Sequence, residues 1–212
     1  MASPITIPTE GLLERFLAND FEQIFCEKCM NTFLTNVYDH GDYVILEKFS
    51  LGLEYYRDAI KHKHIQSTPA FTLLGVLDGF KNEVLNPDII QLRTHEEPDY
   101  RLIYIMEKLT HLSEADEQFF TNRVHGLNWL DEAKRHLTLE WIEEKYGLVL
   151  AQDIRQLCRY FRENQDYIEW DLHGDNLMRR PQTQELVILD PYTLNQTDDY
   201  DYRLEDDYQH PS

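Results

Sequence analysis

Two short runs decide the fold of this chain: Trp170-Asp-Leu-His-Gly-Asp-Asn-Leu-Met178 and, after a turn, Val187-Ile-Leu-Asp190. The pattern of residues 177–189 predicts two short strands, and an amphipathic helix is predicted shortly before the first run. Because a hairpin returns its end to its start, we expect Asp190 to lie beside Asn176. The sequence therefore predicts that a loop and the end of a strand meet at one place.

The segments before these runs separate into strands and helices. A helix is predicted over residues 9–30 and a hairpin over residues 31–49, with its turn at Asp39-His-Gly-Asp42. A second helix is predicted at Leu51–His64, and Ser50 could cap it. The segment Phe71–Leu85 is ambiguous between strand and helix, and strands are predicted at Ile89–Arg93 and Arg101–Met106, joined by a turn at residues 94–99. After these strands, a helix is predicted to start at Ser113, and two more are predicted at Leu139–Tyr146 and Ala151–Arg162. Because strands and helices are segregated, we expect the α+β class.

The composition limits the classes of function. The chain has 39 acidic and 20 basic residues and a formal net charge of −19, which disfavours general binding to nucleic acid or to anionic membranes. Solubility is the simplest explanation of this charge, although a basic protein partner would also fit it. No apolar run approaches the roughly 20 residues that span a bilayer, and Met1–Glu10 does not resemble a signal peptide. We therefore expect a cytoplasmic protein.

Cysteine usage fits a reducing compartment. The chain has three cysteines, which do not form a disulfide framework. Cys26 and Cys29 are spaced as C-x-x-C, but a zinc site needs a second ligand pair and none stands at a convincing spacing. We interpret them as two thiols on one helical face.

Three side chains in the two opening runs match the needs of phosphoryl transfer. That chemistry uses carboxylate and amide oxygens to hold magnesium on nucleotide phosphates, and a carboxylate near the acceptor hydroxyl. Asn176 and Asp190 could hold the metal, and Asp171 could accept the hydroxyl proton. The structural alternative is that Asp171 and Asp175 cap local turns while Asp190 only ends a strand before Pro191.

The pattern Asp171-x-x-x-x-Asn176 followed by a strand ending in Asp190 resembles the catalytic loop and magnesium-binding Asp of protein kinases. Its form Asp171-Leu-His-x-x-Asn176 is closer to aminoglycoside and choline phosphotransferases, and it is similar to short phage-encoded Ser/Thr protein kinases, whose strand ends in Asp-Pro. The resemblance implies a compact bilobal protein-kinase-like fold that uses ATP and Mg²⁺. The implied divisions are a β-rich N-lobe at residues 1–107 and a truncated helical C-lobe at 108–197. The composition of residues 198–212 indicates an acidic tail.

The same resemblance implies roles for residues elsewhere. Lys48, in Tyr43-Val-Ile-Leu-Glu-Lys48, would grip the α- and β-phosphates and pair with Glu54 on the next helix. Tyr104-Ile-Met-Glu-Lys-Leu109 is similar to the hinge that binds adenine. The residues implied there are Met106 as gatekeeper, with Glu107 and Leu109. His173 would orient the loop or contact the γ-phosphate, or would be an ordinary hydrogen-bonded histidine.

The sequence also departs from the kinase pattern. The stretch Cys29–Asn36, where a glycine-rich phosphate loop is expected, has no glycine. Glu169 and Trp170 replace the His and Arg that precede the catalytic Asp, so coupling to a phosphorylated activation loop is not expected. The stretch after Asp190 is too short for an activation segment and the peptide-docking helices that follow it.

Three functions remain open from the sequence. The first is a minimal protein kinase that phosphorylates Ser/Thr of a basic or nucleic-acid-associated protein, such as a phage or effector protein acting in the host cytoplasm. The second is a small-molecule phosphotransferase, which the Asp-Leu-His form favours. The third is a non-catalytic pseudokinase or acidic interaction module, which the absence of the glycine loop favours.

Overall fold

The computed structural model describes residue 7 and residues 9–24, 35–49, 51–85 and 100–195. Several expectations lie outside these ranges: the Cys26 and Cys29 pair, most of the glycine-free stretch, the Ser50 cap, the strand Ile89–Arg93 with the turn after it, and the acidic residues 198–212.

An antiparallel five-stranded sheet occupies the first part of the described chain. Its strands are β1 (Glu22–Gln23), β2 (Thr35–His40), β3 (Tyr43–Lys48), β4 (Phe71–Leu77) and β5 (Arg101–Glu107). The strand order is β1-β2-β3-β5-β4, so β5 lies between β3 and β4. The β2–β3 turn contains Gly41 with a φ of 67°, which glycine adopts without steric cost. The hairpin predicted over residues 31–49 is confirmed by β2 and β3. The segment Phe71–Leu85, which was ambiguous between strand and helix, begins with the strand β4.

The first helix, α1 (Leu12–Leu17), is shorter than the sequence pattern predicts. The prediction of a helix over residues 9–30 is wrong for described residues beyond Leu17. The chain turns at Asn19, which has a left-handed φ of 57°, and then enters β1. Leu13, Phe16 and Phe21 pack against one small apolar cluster on the sheet. The apolar spacing therefore reflects burial on both sides of a turn, and it does not mark a continuous helix.

Helix α2 (Gly52–Lys63) connects β3 to β4 and matches the helix predicted at Leu51–His64. Its buried residues share one core with the inner face of the sheet. The first residue of α2 lies very close to β10 (Tyr192–Leu194): a Cβ atom added to Gly52 would lie 2.2 Å from the carbonyl oxygen of Tyr192. Only glycine fits at this position without movement of the backbone.

Three helices follow the sheet: α3 (Glu114–Arg123), α4 (Glu132–Tyr146) and α5 (Leu148–Glu163). Ser113 caps α3 as predicted, since its hydroxyl accepts a hydrogen bond from the amide of Asp116 at 3.2 Å. Helix α5 buries Ile154, Leu157 and Cys158, which lie on the face that the periodicity predicts.

The remaining strands are short. They are β6 (Thr110–His111), β7 (Ile168–Trp170), β8 (Leu177–Arg179) and β9 (Leu186–Ile188). The β8–β9 hairpin forms a small sheet with β6, while β7 pairs with β10. The predicted hairpin after the loop is confirmed.

One apolar core contains side chains from the sheet, from α2, from the three later helices and from the β8–β9 hairpin. The strands are concentrated in the first part of the chain and the long helices in the second, so the protein is α+β as expected. Among the described residues, no helix has the length and apolar character needed to cross a membrane.

Candidate functional site

The loop that carries Asp171 is held by strand pairing. Tyr192 of β10 lies opposite Trp170 of β7, and the amide of Asp171 donates a hydrogen bond to the carbonyl of Pro191 at 2.9 Å. Trp170 is buried, and its indole N–H donates to the carbonyl of Val124 at 3.0 Å. These contacts fix Asp171 next to the segment that contains Asp190.

The hairpin brings Asn176 and Asp190 together as predicted. Leu177 lies opposite Ile188, and the amide of Leu189 donates to the carbonyl of Asn176 at 2.9 Å. Ile188 is also attached to the first part of the fold, because the hydroxyl of Tyr56 on α2 donates to its carbonyl at 2.9 Å. The position of Asp190 therefore depends on α2 as well as on the hairpin.

The side chain of Asn176 links the residues of the loop. Its Nδ2 donates to the carbonyl of Asp171 at 2.7 Å and lies 3.3 Å from the Asp171 carboxylate. The same nitrogen is 3.2 Å from Nε2 of His173. Since the nitrogen makes these contacts, Oδ1 is the atom of this amide that can bind a metal ion.

Lys48 and Asp190 form an ion pair between β3 and the segment after β9. Lys48 is only 8% exposed, at the end of its strand. The ammonium contacts Oδ2 of Asp190. The other oxygen, Oδ1, is buried and has no hydrogen-bond partner among the residues that the structure describes. A buried carboxylate oxygen without a partner is costly and therefore marks a place where a ligand could bind.

Burial raises the pKa of Asp171 above its usual value of 3.8, and the negative charge of Asp190 adds to this effect. The charge of His173 and the hydrogen bond from Asn176 act in the opposite direction. Nε2 of His173 lies 3.7 Å from the carboxylate of Asp171, which keeps 39% of its side chain exposed. The carboxylate of Asp171 is therefore accessible, and it is surrounded by groups that influence its charge.

Glu54 contacts other residues than the kinase resemblance implies. Its carboxylate accepts hydrogen bonds from Arg57 at 2.7 Å and from the hydroxyl of Tyr104. The expected pair with Lys48 is not formed in the described structure, where Lys48 contacts Asp190. The physical reason is that Arg57 lies one helical turn after Glu54 and can reach it directly.

The predicted strand Arg101–Met106 is confirmed as β5, which contains the first four residues of the segment that resembles a hinge. The residues of that segment have different environments. Met106 lies opposite Val44 of β3, and Lys48 lies opposite Leu102. Side chains alternate along a strand and paired residues share a face, so Met106 is on the same face of the sheet as Lys48. Leu109 lies between β5 and β6, outside both strands.

Glu107 has a structural contact that the sequence did not reveal. Its carboxylate is buried and accepts hydrogen bonds from Arg180 at 3.0 Å and from the amide of Ala70 at 2.8 Å. Its own amide donates to the carbonyl of Ala70 at 2.9 Å. The amide of Glu107 is thus not available to bind a nucleotide base, and the side chain connects β5 to the β8–β9 hairpin.

The end of α3 contributes residues that sequence reasoning missed. The hydroxyl of Thr121 accepts a hydrogen bond from the amide of Gly174 at 3.1 Å. The ring of His125 lies 5.8 Å from the ring of His173, measured between centroids. No motif marks Thr121 or His125, because their role depends on how α3 packs against the loop.

A large open cleft lies apart from this group of residues. It has a volume of about 680 Å³ and is lined by part of α2, by residues 68–72 and by Ile7. Lys48, Asp171, Asn176 and Asp190 do not line it. The convergence of these four side chains, and not the size of a cavity, identifies the candidate site.

Comparison of the sequence with protein-family models finds no match, and comparison with curated proteins finds none either.

Proposed function

We propose that this protein is a minimal Mg²⁺- and ATP-dependent phosphotransferase with a bilobal kinase-like fold, and that it transfers the γ-phosphate to Ser or Thr of a partner protein. The observation that carries the proposal is the meeting of Lys48, Asp171, Asn176 and Asp190, which come from three separate segments. The sheet with α2 between β3 and β4 would correspond to the small lobe, and the helices with the loop to the larger one.

The residues present fit a magnesium ion. A carboxylate and an amide oxygen are suitable ligands, and Mg²⁺ is usually held by one or two carboxylates together with substrate phosphates. Oδ1 of Asp190 is buried and lacks a partner within the described chain, and the amide oxygen of Asn176 is available immediately before β8. No cluster of three or more His, Cys, Asp or Glu side chains suited to a metal occurs in the described ranges. When bound, magnesium would neutralise charge on the phosphate oxygens.

The other side chains have distinct roles in this proposal. Lys48 carries a positive charge at the end of β3 and would contact the α- and β-phosphates after leaving Asp190. Asp171 is partly exposed and would orient the acceptor hydroxyl and take its proton. Met106 shares a face with Lys48, about 13 Å further along the sheet, where it would contact the base. Leu109 would supply backbone groups to the base, since Glu107 uses its amide within the fold.

The acidic character of the chain suggests the class of acceptor. A net charge of −19 would attract basic proteins, including proteins that bind nucleic acid, and would repel nucleic acid itself. A basic protein acceptor in the cytoplasm is therefore part of the proposal.

Phosphoryl transfer can be measured directly. The purified chain is incubated with Mg²⁺ and γ-labelled ATP, alone, with basic test proteins and with a cell lysate. We expect label on protein, and we expect Asp171→Ala to lose it. A matched control is Asp166→Ala, which removes an exposed acidic side chain shortly before the loop.

The possible results separate the three functions. Label on small molecules alone would replace the proposal with a small-molecule phosphotransferase. Binding of Mg-ATP without transfer to any acceptor would indicate a pseudokinase. Absence of both label and nucleotide binding would contradict every kinase-like function.

A further inference from the structure

We infer that His125 is a positioning residue of the proposed site, which holds the His173 ring against Asp171 and Asn176. This inference rests on the proposed function. It concerns a residue on the turn after α3 that belongs to no recognised motif.

The segment from α3 to His125 contacts the catalytic loop and the strand before it at three points. The Trp170 indole donates to the carbonyl of Val124 at 3.0 Å, immediately before His125. The amide of Gly174 donates to Thr121 at 3.1 Å. A Cβ atom on Gly174 would lie 2.3 Å from the carbonyl oxygen of Glu117, so the loop and α3 are in close backbone contact. His125 therefore faces the loop from a fixed position.

The two nitrogens of the His173 ring contact different groups. Nδ1 accepts a hydrogen bond from the amide of Asp175 at 3.3 Å. Nε2 faces Asn176 at 3.2 Å and the carboxylate of Asp171 at 3.7 Å. A flip of the ring about its Cβ–Cγ bond would put ring carbons in the places of Nδ1 and Nε2 and remove this arrangement.

His125 is the aromatic neighbour of the His173 ring. The two ring centroids are 5.8 Å apart with an angle of 60° between the planes. This distance is within the usual range for interacting aromatic rings. Since the carboxylate of Asp175 flanks Nδ1 at 3.6 Å, the His173 ring lies among His125, Asp175, Asp171 and Asn176. Removal of the His125 ring would open one side and allow His173 to turn.

Steady-state kinetics with three variants test the role of His125. We expect His125→Ala to lower kcat about tenfold, because small misalignments of the reacting groups reduce the rate strongly. The KM for ATP should stay within about twofold of the wild-type value. His125→Phe keeps an aromatic ring and should restore most of kcat. His136→Ala removes an exposed histidine of α4 and should behave like the wild type. A kcat of His125→Ala equal to that of the wild type, or a His125→Phe variant as slow as His125→Ala, would overturn the inference.

A spectroscopic measurement separates this inference from the proposed function. The nitrogen-15 signals of the His173 imidazole are compared in the full-length wild type and variants. We expect His125→Ala to change the nitrogen-15 chemical shifts of Nδ1 and Nε2 in His173, and His125→Phe to leave them close to those of the wild type. An unchanged His173 spectrum in His125→Ala would contradict the inference even if transfer is observed. If the wild type transfers no phosphate, the proposed function fails, while the spectrum still reports whether His125 positions His173.

Discussion

Lys48, at the end of β3, forms an ion pair with Asp190, which follows β9 near the other end of the described chain. The contact joins the five-stranded sheet to the loop and hairpin that carry the remaining candidate residues. One oxygen of Asp190 is occupied by the lysine, and the other is buried with no partner in the described ranges. The pair therefore combines a cation suited to phosphate with a carboxylate suited to a metal.

The ion pair predicts opposite effects of Lys48→Met on two ligands. The ammonium contacts Asp190 and repels a divalent cation, so its removal should strengthen binding of Mn²⁺ alone by about tenfold, or about 1.4 kcal/mol. The same change removes the proposed phosphate contact of Lys48 and should weaken binding of Mn-ATP. Titration calorimetry measures both affinities. Lys61→Met, which alters an exposed lysine of α2, serves as the control. Parallel changes in the two affinities would contradict the assigned role of Lys48.

Gly52→Ala should disturb the contact between α2 and β10. The added methyl group would meet the carbonyl oxygen of Tyr192 at 2.2 Å, and overpacking of this kind costs about 1–3 kcal/mol. The site should be affected as well, because the same Cβ would lie 3.5 Å from Oδ1 of Asp190. Urea unfolding measures the loss of stability. Gly126→Ala is the matched control, since no atom lies within 4 Å of its added Cβ and its φ is −82°. Equal stability of the two variants would refute the close approach.

Arg180→Met should destabilise the fold because it leaves the buried carboxylate of Glu107 without its cation. The loss of one partner from a buried ion pair costs about 3 kcal/mol. Glu185→Ala removes an exposed partner of the same arginine, 3.1 Å away, and should cost less than about 1 kcal/mol. The double variant Glu107→Gln with Arg180→Met should recover part of the loss. Thermal or urea unfolding of the three proteins measures these differences, and a harmless Arg180→Met would show that Glu107 is not buried in solution.

Asp116 should make stability sensitive to acid. Burial favours its neutral form, but hydrogen bonds from Tyr146, Lys145, Ser113 and Arg179 outweigh it and hold the pKa of Asp116 well below its usual value of 3.8. A carboxyl whose pKa is lowered on folding stabilises the protein above its unfolded pKa. That contribution is lost as the pH falls through the folded pKa.

The prediction for Asp116 is tested by unfolding at several pH values. Wild-type stability should begin to fall below about pH 5. Asp116→Asn should be less stable than the wild type at neutral pH, and its free energy of unfolding should fall less on acidification. If the free energies of unfolding of the wild type and the variant fall in parallel with pH, the carboxyl of Asp116 is not the cause of the acid sensitivity.

The sequence predicts those parts of the fold that depend on local pattern. The β2–β3 hairpin, α2, α5 and the β8–β9 hairpin follow from periodicity and turn residues. The approach of Asp190 to Asn176 follows from hairpin geometry. Helix α1 is different, because Phe21 is partly buried against the sheet after the chain has turned at Asn19.

Side-chain partners across distant segments are not predictable in this way. Glu107 looks like a hinge residue in its strand, yet it pairs with Arg180 from the β8–β9 hairpin. Glu54 contacts Arg57 and Tyr104, while Lys48 contacts Asp190. Each of these pairings depends on packing between elements far apart in the sequence, and a local sequence pattern does not predict such packing.

The central claim is that Asp190 and Asn176 form a magnesium-nucleotide site, and titration calorimetry with Mg-ATP tests it most directly. We expect the wild type to bind ATP only with a divalent cation, and we expect Asp190→Asn, folded as judged by circular dichroism, to bind at least about tenfold more weakly. A wild type that does not bind Mg-ATP, or an Asp190→Asn variant that binds it equally well, would contradict the claim.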